Sequence, residues 1–133
     1  MPAARLFRLF AVGALLGASA ASAGDIDIDG DAVSGKELFK TQGCMACHSV
    51  TPGDGSKVGP SLFGVVGRKA GTAPSLLGAT ERLKAYGVIW TAETLDEFLA
   101  DPNAKVPGTP MAGVLANPQQ RADVIAYLHT LKQ

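Results

Sequence analysis

Two cysteines and a histidine stand together in the segment Cys44-Met45-Ala46-Cys47-His48. The types and order of these residues suit the covalent attachment of a c-type haem. Each thiol can add to one vinyl group of the haem and leave a thioether. The histidine that follows Cys47 is then carried beneath the iron, where a ring nitrogen can bind it. The segment therefore predicts one covalently bound haem c, with His48 as an iron ligand.

The same residues leave three alternatives open. A Cys-x-x-Cys pair can be a redox-active dithiol, although such motifs belong near a βαβ pattern and the sequence shows none. Cys44 and Cys47 are the only cysteines, so they can also form a simple disulfide. With His48 and His129 they can form a zinc site, although zinc sites usually place many residues between the second cysteine and the first histidine. The motif favours haem over all three.

The first 23 residues have the form of a secretory signal peptide. Arg5 and Arg8 make a basic start, an apolar run follows, and Ala21-Ser22-Ala23 is a small-x-small cleavage site. We predict cleavage before Gly24 and a periplasmic location. An uncleaved membrane anchor is the less favoured alternative, because the apolar stretch is shorter than the roughly 20 residues of a spanning helix.

Length and charge limit what the rest of the chain can be. Residues 34–133 are predicted to form one small domain. Loss of the signal peptide removes two of the 12 basic residues and none of the 12 acidic ones, which leaves a formal net charge of −2. That balance excludes a typical nucleic-acid-binding protein. A domain of this size buries a limited core, so a large flat cofactor at its centre would help to fill it.

An acidic tail is predicted over residues 24–33. Asp25, Asp27 and Asp29 match the first half of a calcium-binding loop. The twelfth position of that pattern is Lys36 where glutamate is required, so a solvated tail is favoured over a calcium site.

Capping residues mark the starts of four predicted helices, which begin at Ser34, Thr80, Thr91 and Asn117. The first start is a capping box between Ser34 and Glu37. Gly35 and Phe39 lie on one face of that helix, where Tyr127 of the last helix can pack. The pattern predicts an all-α fold of four to five short helices.

Two long irregular stretches separate these helices, and each contains a candidate for binding a haem. In residues 50–71, the Pro60 carbonyl can accept a hydrogen bond from a ligating histidine, and Arg68 can pair with a propionate. In residues 103–117, Met111 lies between turn formers. Its thioether is a soft iron ligand, and Met45 is confined within the attachment motif. Met111 is therefore the predicted second axial ligand.

Together these residues resemble the small class I cytochromes c, close to the mitochondrial type and its bacterial periplasmic relatives. The likeness extends from Gly35 to Lys132. Its segments occur in the family order and are Gly35–Phe39, Cys44–His48, Lys57–Leu62, Gly64–Thr72, Trp90–Thr91, Pro107–Met111 and Ala126–Leu128. One segment alone would be weak, whereas the ordered set is highly specific.

The resemblance implies a cytochrome c fold wrapped around one haem c, and it assigns roles to nine residues. Cys44 and Cys47 would hold the haem, His48 and Met111 would be axial, Pro60 would orient His48, Leu62 would pack against the ring, and Arg68, Trp90 and Thr109 would lie near a propionate. The protein would be a monomeric electron carrier rather than an enzyme. Its partners would be membrane-bound oxidoreductase or oxidase complexes of a respiratory or photosynthetic chain, with no nucleic acid and no small-molecule substrate.

Three departures from the family pattern qualify these expectations. Phe98 stands where tyrosine is common, so its ring offers Met111 no hydroxyl. The stretch 75–80 lacks a tyrosine for a propionate, and Pro110 replaces a lysine beside Met111. A rival reading therefore stays open, in which the Met111 bond is weak and the iron reacts with peroxide or small gases. Five lysines are candidates for weak steering of acidic partners, namely Lys36, Lys40, Lys57, Lys69 and Lys105.

Overall fold

Six helical segments and one isolated β-bridge form the fold in a computed structural model, which describes residues 29–113 and 115–132. The helices are α1 (Ala32–Thr41), α2 (Cys44–Cys47), α3 (Glu81–Tyr86), α4 (Ala92–Ala100), α5 (Pro102–Lys105) and α6 (Pro118–Thr130). The bridge pairs Lys69 with Ile89 in antiparallel fashion. The all-α prediction is confirmed, but the count of four to five helices was low because α2 and α5 are single turns. The predicted signal peptide, Asp25 and Asp27 lie outside the described residues.

The start of α1 differs from the predicted capping box at Ser34. Asp31 is the N-cap, and its carboxylate accepts hydrogen bonds from the backbone N–H groups of Val33 and Ser34 at 2.7 and 3.1 Å. Glu37 instead bonds to Lys40 at 2.8 Å. An aspartate at this position caps a helix as well as serine does, so the choice between the two depends on what holds Asp31 in place.

Asp31 is held by α6. Its backbone N–H donates to the buried carboxylate of Asp123 at 2.9 Å. The side chain of Gln119 donates both to that carboxylate, at 3.0 Å, and to the carbonyl of Asp29, at 3.3 Å. At Gly30 a Cβ would lie 2.2 Å from the carbonyl oxygen of Ala122. The solvated tail was predicted over residues 24–33, but residues 29–31 belong to the folded body and the last two residues of that range belong to α1.

The crossing of α1 and α6 is the main helix contact of the fold. A Cβ at Gly35 would lie 1.9 Å from the carbonyl oxygen of Asp123 and 3.0 Å from the Cβ of Tyr127. The rings of Phe39 and Tyr127 meet edge to face at a centroid distance of 5.5 Å. The predicted notch at Gly35 is thus confirmed, and the α6 backbone as well as Tyr127 fills it.

The other predicted helix starts are confirmed. Thr80 caps α3 and Thr91 caps α4, each by accepting a hydrogen bond from the third helical residue. Asn117 caps α6 through the backbone N–H groups of Gln119 and Gln120. The buried face of α4 consists of Leu95, Phe98 and Leu99. In the parts of the chain that the structure describes, no helix combines the length and apolar character needed to cross a membrane.

Candidate functional site

A cavity of about 150 Å³ lies between the helices and the two irregular stretches. Loop residues form most of its lining, and α1, α4 and α6 add apolar side chains. All but one of the nine predicted site residues line it, namely Cys44, His48, Pro60, Leu62, Arg68, Trp90, Thr109 and Met111. The exception is Cys47, which is exposed. Met111 thus comes from a distant part of the chain to the apolar space that Cys44 and His48 line.

His48 is half-buried at this cavity, and its orientation is fixed. The ring Nδ1 lies 2.7 Å from the carbonyl oxygen of Pro60. A carbonyl only accepts, so Nδ1 carries the proton and Nε2 keeps a free lone pair, the form in which histidine binds metals. Burial lowers the pKa of His48, and the hydrogen bond to Pro60 partly opposes that shift. The neutral, ligating form is therefore favoured.

Gly59 is a site residue that sequence reasoning did not single out. A Cβ here would lie 2.7 Å from Cε1 and 2.8 Å from Nδ1 of the His48 ring. It would also lie 2.8 Å from the carbonyl oxygen of Cys47, to which the Gly59 N–H donates. Only glycine leaves room for the ring. The signal available in the sequence was a glycine directly before the proline whose carbonyl was predicted to orient the histidine.

The two thiols are free and lie on one helical turn. Cys44 and Cys47 are the first and last residues of α2, so a spacing of three places them on the same side of the helix. Burial raises the pKa of the Cys44 thiol, which keeps it protonated. Because both thiols are free, the structure gives no support to a disulfide between them.

The histidines predicted as alternative zinc ligands are separated. His129 is half-exposed and lines a second, more open pocket with Gly64, Arg68 and Lys132. Within residues 29–113 and 115–132, no group of three or more histidine, cysteine, aspartate or glutamate residues is arranged to hold a metal ion.

Arg68 brings a half-buried positive charge to the cavity. Its two terminal nitrogens donate to the carbonyls of Phe63 and Ser61 at 2.8 and 2.6 Å. Its Nε is buried and has no protein partner among the described residues. Burial lowers the pKa of the guanidinium, which nevertheless stays charged. A buried cationic donor that lacks an acceptor fits a carboxylate at the edge of a bound group.

Trp90 and Phe98 form the aromatic part of the wall. Trp90 is buried, and its ring meets Phe98 edge to face at 5.1 Å. Both residues line the cavity, so the position where the family often has a tyrosine hydroxyl is an apolar surface here. Gly78, Ala79 and Thr80 line the cavity from the stretch that lacks the family tyrosine.

Met111 reaches the cavity from a loop whose hydrogen bonds are local. Its backbone N–H donates to the Thr109 hydroxyl at 3.3 Å, and the Thr109 N–H donates to the carbonyl of Val106 at 3.0 Å. The side chain is half-buried, whereas Pro110 beside it lines the cavity and is exposed.

The chemistry of these donors fits a covalently attached haem. One wall offers a neutral imidazole nitrogen and the thiol of Cys44, and the exposed Cys47 lies on the same helical turn. Met111 lines the same cavity and offers a thioether from a distant loop. The space around them is apolar, as a porphyrin ring requires, and Arg68 supplies a cationic donor for a propionate.

Comparisons with known proteins agree with this site. A family model described as cytochrome c matches residues 32–132. Cytochrome c2 of Rhodopila globiformis is 46% identical over 104 residues, which cover 77% of this chain and 95% of the relative. Cytochrome c2 of Rhodomicrobium vannielii is 43% identical over 118 residues, with coverages of 88% and 92%. Cytochrome c of Arabidopsis thaliana is 43% identical over 105 residues, with coverages of 78% and 92%.

The family match covers most of the chain, and each of these relatives is matched over nearly its whole length. The resemblance drawn from the ordered segments of the sequence is therefore confirmed. The chain belongs to the cytochrome c family, and it is an electron carrier that binds one covalent haem c.

Proposed function

We propose that this protein carries single electrons in the periplasm through a haem c tethered at Cys44 and Cys47 and bound axially by His48 and Met111. Its donors and acceptors would be protein complexes of a respiratory or photosynthetic chain. The observation that carries the proposal is that Cys44, His48 and Met111 line one apolar cavity. The bacterial relatives are named cytochrome c2, and likeness to them supports the periplasmic assignment, as does the signal-like N-terminal sequence.

The bound haem supplies an iron that changes its oxidation state by one electron. The residues of the chain hold that iron in one environment. Pro60 holds the His48 ring in the tautomer that can ligate, and Met111 would supply the second ligand from its own loop, so neither side chain would have to move when an electron arrives. The apolar wall would exclude water, and Arg68 would offset the negative charge of a propionate. Burial and axial ligation together set the reduction potential.

With both His48 and Met111 on the iron, no coordination position would remain for a substrate, which is the reason to expect a carrier rather than an enzyme. The rival reading, with an iron open to peroxide or gases, would require Met111 to be displaced. Its half-buried side chain at the cavity favours ligation.

The decisive experiment is an absorption spectrum of the protein expressed with haem-attachment machinery, oxidised and reduced, together with an intact mass. We expect a far-red sulfur-to-iron band in the oxidised protein and a mass increased by one haem. Five-coordinate high-spin iron would contradict Met111 ligation. A colourless product with two free thiols would contradict the haem proposal altogether.

Export is tested separately. N-terminal sequencing of the protein from a periplasmic fraction should begin at Gly24. A chain that starts at residue 1 and sediments with membranes would instead support the anchor alternative.

A further inference from the structure

The segment that carries Met111 is attached to α4 on both of its sides. Before the segment, the ammonium group of Lys105, the last residue of α5, lies 2.5 Å from a carboxylate oxygen of Glu97 on α4. After the segment, the N–H of Leu115 donates to the carbonyl of Leu99 on α4 at 2.9 Å. One turn of α4 therefore holds both the entry and the exit of the segment.

The exit has a second set of contacts. Arg121 on α6 donates to the carbonyls of Leu115 and Ala116 at 2.8 and 2.9 Å, and to the carboxylate of Asp96 on α4 at 2.7 Å. The Arg121 side chain is only 12% exposed. Its release would leave carbonyl groups without their donor, which is costly away from water. The exit is therefore the firmer of the two ends.

The entry depends on an ion pair that faces solvent. The side chains of Lys105 and Glu97 are 37% and 55% exposed, so water and salt ions reach both. The hydrogen bond to Glu97 raises the pKa of Lys105, and the nearby Tyr86 of α3 acts in the same direction. The ammonium group therefore stays charged and paired. An exposed ion pair contributes little to the stability of a whole fold, but this one holds the end of the segment that is less firmly attached.

A short series of contacts links this ion pair to Met111. Val106 follows Lys105 directly, is buried, and donates its N–H to the carbonyl of Pro102 at 2.8 Å. The carbonyl of Val106 accepts from the N–H of Thr109 at 3.0 Å, and the Thr109 hydroxyl accepts from the N–H of Met111 at 3.3 Å. A movement of α5 away from α4 would therefore carry Met111 with it.

We infer that Glu97 and Lys105 are positioning residues that keep Met111 on the haem iron, and that the segment opens from its entry while Arg121 holds its exit. The inference rests on the proposed function, because it requires Met111 to be an axial ligand. Loss of the ion pair raises the fraction of molecules in which Met111 has left the iron. An added ligand binds only that fraction, so its apparent affinity rises by the same factor.

The test is a spectroscopic titration of the ferric, haem-loaded protein with imidazole. We expect Lys105→Gln to raise the apparent affinity about threefold, a size in keeping with an exposed ion pair. Glu97→Gln should have the same effect, because it removes the same pair. Lys40→Gln is the matched control, since Lys40 forms an exposed pair with Glu37 at 2.8 Å on α1, and it should leave the affinity unchanged.

Exchange of the two charges distinguishes pairing from a general effect of charge. The double variant Glu97→Lys/Lys105→Glu keeps an ion pair between α4 and α5, so it should return the imidazole affinity to within about 1.5-fold of the unmodified protein. An affinity as high as that of the single variants would show that pairing does not hold Met111.

Salt gives an independent readout. At about 1 M sodium chloride the Debye length falls to about 3 Å, so the exposed pair is screened. The imidazole affinity of the unmodified protein should then approach that of Lys105→Gln, whereas the affinity of Lys105→Gln should change little. An unmodified protein that salt leaves unchanged would contradict the role of the ion pair.

Hydrogen exchange measured by mass spectrometry locates the opening. Peptides from residues 106–113 should exchange faster in Lys105→Gln than in the unmodified protein, while peptides from residues 115–121 should keep their rate. Equal imidazole affinities for Lys105→Gln and Lys40→Gln, or equal acceleration of exchange at both ends, would overturn the inference and leave the proposed function intact. Absence of the far-red band from the unmodified protein would instead contradict Met111 ligation itself, and the positioning role would fall with it.

Discussion

The two sides of the haem cavity are built in different ways. The histidine wall, residues 47–62, is tied together and to the rest of the fold. The N–H of Leu62 donates to the carbonyl of Ser49 and that of Gly59 to the carbonyl of Cys47, both at 2.8 Å, while Pro74 accepts from Ser61 at 2.9 Å. The methionine wall, residues 106–113, is held mainly by bonds between near neighbours, such as Thr109 to Val106.

The two walls also differ in how much room surrounds their glycines. At Gly59 a side chain would collide with the His48 ring and the backbone, whereas at Gly113 an added Cβ would have nothing within 4 Å. On the methionine wall Pro107, Gly108 and Pro110 are exposed. Segments with few buried contacts and exposed backbone open more easily than packed ones. His48 is therefore held by the packing of the domain, whereas Met111 is held mainly by hydrogen bonds within its own loop.

The largest expected effect is that of Gly59→Ala. The new methyl group must displace the His48 ring or the Cys47 carbonyl, so we expect a loss of about 3 kcal/mol in the free energy of unfolding, at the upper end of overpacking effects. Urea unfolding of the haem-loaded protein measures it. Gly113→Ala is the matched control and should change stability by less than about 0.5 kcal/mol. Similar losses in both variants would remove the contrast between the walls.

Met111→Ala tests the methionine wall at its ligand. The haem should remain covalently attached, because the thioethers and His48 are untouched, while the far-red band disappears and ferric iron becomes accessible to added ligands. Truncation of this half-buried side chain should also cost about 2 kcal/mol of stability. Absorption spectra and urea unfolding give both quantities. A spectrum identical to that of the unmodified protein would show that another group is the sixth ligand.

Arg82 provides a further test of the methionine wall, because its side chain contacts that wall from α3. Its guanidinium lies against Gly108, where an added Cβ would be 3.2 Å from Nε and Cζ. If this contact holds the loop closed, Arg82→Ala should raise the affinity of added imidazole for ferric iron, in competition with Met111, about fivefold. Spectroscopic titration measures the affinity. Lys84→Ala on the same helix, whose side chain pairs with Glu81, should leave it unchanged.

The smallest effect concerns acid stability of the histidine wall. Hydrogen bonds from Ser49 and Ser56 lower the pKa of Asp54 from 3.8 to about 2. A carboxyl with a lowered pKa in the folded state stabilises the protein above its unfolded pKa and loses that contribution as the pH falls towards the folded value. The stabilisation should therefore be complete above about pH 5 and vanish towards about pH 2.

Asp54→Asn should accordingly lower stability slightly at neutral pH and flatten its decline in acid. Urea midpoints measured at neutral pH and in the acid range test this. An equally steep acid decline in both proteins would show that Asp54 contributes nothing to it.

Local chemistry made much of this structure predictable from sequence. The attachment motif, the caps at Thr80, Thr91 and Asn117, and the Pro60 carbonyl beside His48 all depend on a few neighbouring residues or on a strong family pattern. The sequence did not reveal that Asp31 rather than Ser34 begins α1. Both can cap a helix, and a hydrogen bond to Asp123 on a distant helix decides between them.

The amino-acid sequence by itself determined the cofactor and the helical fold, because those follow from the attachment motif, the helix caps and the ordered family segments. It also predicted nine residues for the haem site, of which eight line the cavity. Only the tertiary structure decided how each one is held. It placed a glycine against the histidine ring, left the Nε of Arg68 buried and unpartnered among the described residues, and turned Leu76 and Leu77 outward beside Lys57. The physical reason is that room, burial and exposure arise between segments far apart in the chain, where no local pattern records them.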